Sequence, residues 1–192
     1  MTAPLTRQTA SVEETEGLGE GFAPSLRAGD VVVLPYLDGE RTPNLPSASG
    51  TISGLRHTTT PQQILMAAYE GAVASLLEAL GAIGDSVGGL DPAAPLLLVG
   101  GGARGTAWRE VVRRLPGRPV LIPDAVELVA LGAAAQATAV WRGEPPERVG
   151  ARWGTTSGTL LDPVPVDGER LDRIQALIRT VAATPDLSGR AP

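Results

Sequence analysis

Gly100, Gly101 and Gly102 follow the apolar run Leu96–Val99 and lead directly into Ala103-Arg104-Gly105-Thr106. Glycines at the end of a buried strand leave bare backbone N–H groups, which a phosphate or a nucleotide can approach closely. Fixing three of them costs conformational entropy, so the triplet implies a steric demand at that point. Beside it, Arg104 carries a guanidinium able to stack on a flat base, or to sit solvated on the turn. Thr106 adds a hydroxyl within reach of the same turn. A tight strand-to-helix turn without a ligand is the competing explanation. Elsewhere, Asp38 and Glu40 form a close carboxylate pair in a distinctive loop. They suit a general base and its helper, but bonding of the loop's own backbone explains them more simply. Glu40 can alternatively pair with Arg41. His57, in a loop after a strand, reads as an exposed or capping residue. Glu70 stands mid-helix beside the apolar stripe, and a carboxylate buried there needs a partner.

Composition narrows the chemistry. All 16 basic residues are arginines, cysteine is absent, and His57 is the sole histidine. A phosphate-binding lysine, a Schiff base, a thiol nucleophile and a multi-histidine metal site are therefore excluded. A net charge of −5 without a basic stripe argues against a nucleic-acid partner. The apolar stretches fall short of the roughly 18 residues a membrane span needs, so the expectation is a cytoplasmic protein with no membrane partner. What survives is carboxylate acid–base work, anion binding by backbone, and charge stabilisation by arginine.

The elements that must position these residues follow from the pattern. Residues 1–29 are polar, with no persistent period, and read as a loosely ordered lead-in. Val31–Tyr36 predicts a buried strand ended at Pro35, and Thr51–Leu55 a short one. Thr60 and Gln63 form a capping box around Pro61, opening a helix with Leu65, Ala68, Ala72, Leu76 and Leu80 on one face, closed at Gly81 or Gly84. Leu96–Val99 lacks alternation, which predicts a strand covered on both faces. Thr106 is expected to cap a helix bearing Trp108, Val111, Val112 and Leu115. After a strand at Val120–Pro123, Asp124 with Glu127 suggests a second cap, for an Ala/Gly-rich helix through Trp141 whose Gly132 would allow close packing. Beyond Pro145-Pro146, an amphipathic helix over 169–183 carries Leu171, Ile174, Leu177, Ile178 and Val181, with Arg170, Arg173 and Arg179 expected to be solvated. The predicted fold class is α/β.

Gly100, Gly102 and Gly105 also satisfy G-x-G-x-x-G, and Asp124 lies near where a dinucleotide fold holds its ribose. That rival predicts NAD affinity. Against it, few strands follow the motif.

Several segments together resemble the carboxyl half of FGGY-family carbohydrate kinases, xylulokinases in particular. The segments are Leu34-Pro-Tyr-Leu-Asp-Gly-Glu-Arg-Thr-Pro43, Gly50-Thr-Ile-Ser-Gly-Leu55, then Gln63, Ile64 and Ala67-Ala-Tyr-Glu70. Gly100–Arg104 with Trp108-Arg109, and Glu127-Leu-Val-Ala-Leu-Gly-Ala-Ala134, continue the match in family order. The resemblance implies an actin-like, ribonuclease-H-like ATPase domain, the second of two, spanning residues 30–145, with 146–192 as a tail. It implies ATP and ADP as ligands, with Gly100, Gly101, Gly102, Ala103, Arg104 and Thr106 as the nucleotide wall, and Glu40 and Arg41 near the interdomain cleft. Magnesium, the sugar, the phosphate loops and the catalytic aspartate are assigned to the other domain. The chain alone is thus expected to be inactive and, with domain-facing surfaces exposed, prone to self-association. A non-catalytic binding module is the alternative.

Overall fold

The computed structural model describes residues 27–155 and 157–183. Most of the expected lead-in, residues 1–26, lies outside them.

The core forms where a run of four buried residues, Val31–Leu34, meets a long helix. Strand β1 (Val32–Leu34) pairs antiparallel with β2 (Thr51–Ser53), with Val33 opposite Ile52. Helix α1 (Pro61–Ser86) crosses β1. Its start is the expected capping box: the Thr60 hydroxyl accepts from Gln63 N–H, and the Gln63 amide oxygen accepts from Thr60 N–H. Gly71 explains how close the crossing is, because a Cβ there would lie 1.8 Å from the Val33 carbonyl oxygen. The helix does not stop at Gly81 or Gly84. It continues to Ser86, and the break comes where Gly88 and Gly89 adopt positive φ and Gly89 N–H caps the Gly84 carbonyl. At this length α1 is long and apolar enough to cross a membrane, contrary to the apolar-run estimate. Its fully buried Glu70 and its contacts with β1 and two helices make it the core helix here.

A second sheet has the order β3–β4–β5. Strand β3 (Leu96–Leu97) runs parallel to β4 (Val120–Pro123), which pairs antiparallel with β5 (Gly158–Leu161). Leu96 and Leu98 are half-buried, whereas Leu97 and Val99 are exposed, so β3 is covered on one face rather than both. Helix α2 (Thr106–Arg114) packs against both α1 and β4, burying Ala107, Val111, Val112 and the following Leu115. Gly105, not Thr106, holds its N-cap position. A 3₁₀ turn over Gly101–Arg104 occupies the lead-in, which puts Thr106 at the first helical residue, where its hydroxyl caps nothing.

Helix α3 (Leu128–Arg142) packs on α4 (Pro146–Arg152) through Ala135, Ala139 and Val149. A Cβ on Gly132 would meet nothing within 4 Å, and Val129 and Trp141 are 89% and 81% exposed, so Gly132 does not serve close packing among the described residues, whereas Ala135 and Ala139 do. Asp124 is not its cap. Strand pairing persists through Pro123 opposite Gly158 and Asp124 N–H to Ser157 O, delaying the helix until Glu127, which makes no side-chain capping bond.

Helix α5 (Gly168–Ala183) buries Ile174 and Ile178 against the core. Arg170 is buried with them, contrary to the solvated arginine face expected. Its Nε–H donates to Glu70 Oε2 at 2.6 Å, and its other nitrogens donate to the carbonyls of Gly29 and Val31. Arg114, at the end of α2, donates to Glu70 Oε1 at 2.5 Å and to Asp167. Glu70 is thus the partnered buried carboxylate that its sequence position required, and it joins α1, α2, α5 and the start of β1.

Candidate functional site

The parallel strands β3 and β4 both end at one side of the second sheet. Ligands of open α/β sheets collect at the carboxyl ends of such strands. A cavity of about 640 Å³ opens there. Its walls are the chain leaving β3 (Leu98–Gly101, with Ala103 and Arg104), the chain leaving β4 (Ile122–Leu128), Arg109 of α2 and Thr159 of β5.

The glycine turn is open. Gly100, Gly101 and Gly102 are all exposed. Gly100 has φ +94, a conformation that side-chain-bearing residues rarely adopt, and a Cβ built on it would meet nothing within 4 Å. A planar group can therefore come down to the backbone at this point. The turn is held from behind. Trp108 lies 3.9 Å from the Cβ position of Gly102 and packs edge-on against Tyr69, with ring centroids 5.7 Å apart. Arg109 Nε–H donates to the Ala103 carbonyl, bracing the 3₁₀ turn against the helix it leads into.

Of the sequence candidates, Gly100, Gly101, Ala103 and Arg104 line the cavity, whereas Gly102 and Thr106 lie outside its lining. Asp124 entered the sequence reading of a ligand site only through the dinucleotide rival, Arg109 and Glu127 only as parts of family motifs, and Thr159 not at all. Arg109 had a visible signal, since it sits one turn after Gly105 on the helix that the glycines open. Thr159 had none, because only the antiparallel return of β5 carries it there. Two arginines and two carboxylates face the cavity, and among the described residues Thr159 carries the only hydroxyl in its lining.

The second candidate loop is closed on itself. Glu40 and Leu45 exchange both backbone hydrogen bonds, and the Glu40 carboxylate accepts from the N–H groups of Arg41 and Thr42. Glu40 thus bonds the loop's own backbone, as expected, and the alternative Glu40–Arg41 ion pair does not form, which leaves the exposed Arg41 guanidinium outside the loop's bonding. His57 is exposed.

Residues 5–141 match the C-terminal domain of the FGGY family of carbohydrate kinases. The chain belongs to that family. A xylulose kinase from Streptomyces coelicolor is 58% identical over 153 residues, covering 80% of this chain and 31% of the relative. The crystal structure of xylulose kinase from Bifidobacterium adolescentis superposes with a TM-score of 0.59 at 30% identity, over 88% of this chain and 32% of that one. One from Brucella ovis, described as a xyloylose kinase, gives 0.67 at 26% identity, over 88% and 34%. The chain therefore spans about a third of the proteins it matches. Its fold is the mixed α/β C-terminal domain of these sugar kinases, of the actin-like ATPase type. This answers the dinucleotide rival, and the topology agrees: one parallel strand, β4, follows the motif, and β5 then returns antiparallel, so no third parallel strand extends the sheet among the described residues.

Proposed function

We propose that this chain is the ATP-side domain of a xylulokinase-type sugar kinase, whose complete form converts D-xylulose and ATP to D-xylulose 5-phosphate and ADP. The observation that carries this reading is the exposed glycine turn at the mouth of the 640 Å³ cavity, at the carboxyl ends of two parallel strands. Gly100 and Gly101 would receive the face of the base, with Gly102 and Ala103 shaping the turn and Arg104 stacking on the base or meeting the phosphates. Thr106 would act through the start of α2 rather than by contact.

Phosphoryl transfer rests on positioning and on neutralising charge over three phosphate oxygens. Among the described residues this wall offers two arginines, backbone donors and the carboxylates of Asp124 and Glu127. By the family resemblance, we assign magnesium, the catalytic base and most sugar contacts to a separate domain, with Glu40 and Arg41 facing the cleft between the two. Residues 30–145 would form the nucleotide-binding unit and 146–192 its tail. The exposed Val129, Val140 and Trp141 of α3 support the expectation that this domain meets other protein, another copy included. A cytoplasmic setting fits a substrate and co-substrate of this kind.

Isothermal calorimetry of the full chain with ATP and ADP tests the reading. Saturable one-site binding is expected, and an Arg104→Glu variant should weaken ATP more than adenosine. Silence with both nucleotides would overturn the nucleotide wall. A coupled ADP-release assay with D-xylulose should stay at background, and turnover would refute the assignment of catalysis to the other domain.

A further inference from the structure

We infer that Thr159, on the strand returning beside β4, is a nucleoside-contacting residue of this cavity, supplying the neutral polar contact that sequence reasoning gave to Thr106. The inference rests on the nucleotide reading above and adds a residue to it, from a strand beyond the family-matched stretch of residues 5–141.

Three observations fix Thr159 in place. It lies directly opposite Ile122 in the β4–β5 register, and paired residues on antiparallel strands project to the same face of the sheet. Ile122 also lines the cavity, so Thr159 shares the floor with it. The preceding residue has to be glycine for this approach. A Cβ on Gly158 would lie 2.1 Å from the Ile122 carbonyl oxygen and 2.7 Å from Pro123 Cα, both backbone atoms that cannot swing aside. Finally, Asp124 N–H to Ser157 O pins the strand pair at the same end. The cavity's third wall is therefore a fixed element.

Its chemistry follows from what surrounds it. The other polar side chains of the lining are guanidines and carboxylic acids: Arg104, Arg109, Asp124 and Glu127. Thr159 stands instead beside Ile122 and Pro123, an apolar floor suited to a ring. A threonine hydroxyl donates one hydrogen bond and accepts two, and its β-branched side chain has few rotamers to lose on binding. Such a group fixes how deep a base or ribose sits, and it has no charge to offer a phosphate. Its contribution should therefore be equal for a nucleoside and for its diphosphate.

The test is calorimetric titration of adenosine and of ADP into the full chain, wild type against Thr159→Val and Thr159→Ser. Valine keeps the shape and strand preference of threonine while removing the hydroxyl. It should weaken both ligands by the same factor, about three- to tenfold for one net hydrogen bond, and serine should stay within about twofold of wild type on the same scale. Thermal melts check the fold, and if the valine variant fails to fold, Thr159→Ala titrated with the same two ligands takes its place. Unchanged affinities in the valine variant would overturn the inference while leaving the nucleotide site standing. A loss confined to ADP would overturn the nucleoside contact. Failure of the wild type to bind either ligand would instead bring down the nucleotide reading, and this inference with it.

Discussion

Removing the Glu70 carboxylate should be among the most costly single changes in the described core. Glu70 is fully buried, and its two oxygens accept from Arg114 at 2.5 Å and Arg170 at 2.6 Å. Both arginines are themselves buried. Asp167 answers one of the two positive charges, and its side chain is 28% exposed. In Glu70→Ala the two guanidiniums lose their shared carboxylate, and only Arg114 keeps an ion-pair partner, Asp167. Breaking a buried ion pair by deleting one member typically costs about 3–5 kcal/mol, because the other charge is left without compensation. Against a usual total stability of about 5–15 kcal/mol, that is a large fraction. Urea unfolding followed by circular dichroism should show a lowered midpoint with an unchanged slope. Glu70→Gln should lie between alanine and wild type, since an amide can still accept from one guanidinium. Adding Arg170→Met to Glu70→Ala should be less harmful than the sum of the two single changes, because each removes the other's orphaned charge. A Glu70→Ala cost below about 1 kcal/mol, the range of exposed pairs, would refute the claim that this carboxylate is the junction of four elements.

Gly71→Ala carries a test with opposing signs. Helix propensity favours alanine by about 1 kcal/mol, but the new Cβ would sit 1.8 Å from the Val33 carbonyl oxygen, so α1 must lift from β1. We expect net destabilisation at or above the usual 1–3 kcal/mol of overpacking, about 3 kcal/mol, by urea unfolding; a stabilised variant would show that the helix rests on β1 less closely. Tyr36 gives a pH signature. Burial raises its phenol pKa above the ordinary value near 10, and the Ser75 contact partly offsets this. The unfolded chain then loses that proton before the folded one, so the Tyr36 contribution is fully present below about pH 10 and is lost as pH rises towards the folded value. Tyr36→Phe should flatten that alkaline loss, and an unaltered alkaline profile in denaturant titrations would count against the buried phenol.

The sequence disclosed local features better than distant ones, for a physical reason. The capping box at Thr60 and Gln63 spans four residues and formed as read, and so did the helix after the glycine turn. Glu70's need for a partner was legible from its place on an apolar stripe. The partners' identity was not, although a signal existed: Arg170 precedes Ile174 by four residues and Arg114 follows Val111 by three, placing both on buried faces of their helices. Reading Arg170 as solvated followed charge and overlooked position. The capping expectations at Thr106 and Asp124 failed for a shared reason. In each case other structure, a 3₁₀ turn or a persisting strand pair, occupied the residues before the helix. Side-chain spacing cannot register that. Within the candidate site, Gly100, Gly101, Ala103 and Arg104 fall within five consecutive residues and could be read together. Thr159 reaches the same cavity from 55 positions after Arg104, by a strand pairing that no local pattern encodes.

The glycine turn and the buried charge cluster are the two ends of one lever. Helix α2 starts at the turn and ends at Arg114, and two consecutive residues of α1 grip it, Tyr69 at Trp108 and Glu70 at Arg114. The grips differ in kind. Tyr69 holds the cavity end by an edge-on aromatic contact, and Arg109 braces the turn from within α2 itself. Glu70 holds the far end by charge. Loss of Glu70 therefore removes an anchor between elements but leaves both restraints on the turn in place. The Glu70→Ala chain, kept cold and free of denaturant so that it remains folded, should bind nucleotide with the affinity of the wild type. Affinity that falls in step with stability would mean that the turn takes its shape from the core as a whole, and that the local bracing by Trp108 and Arg109 is not enough.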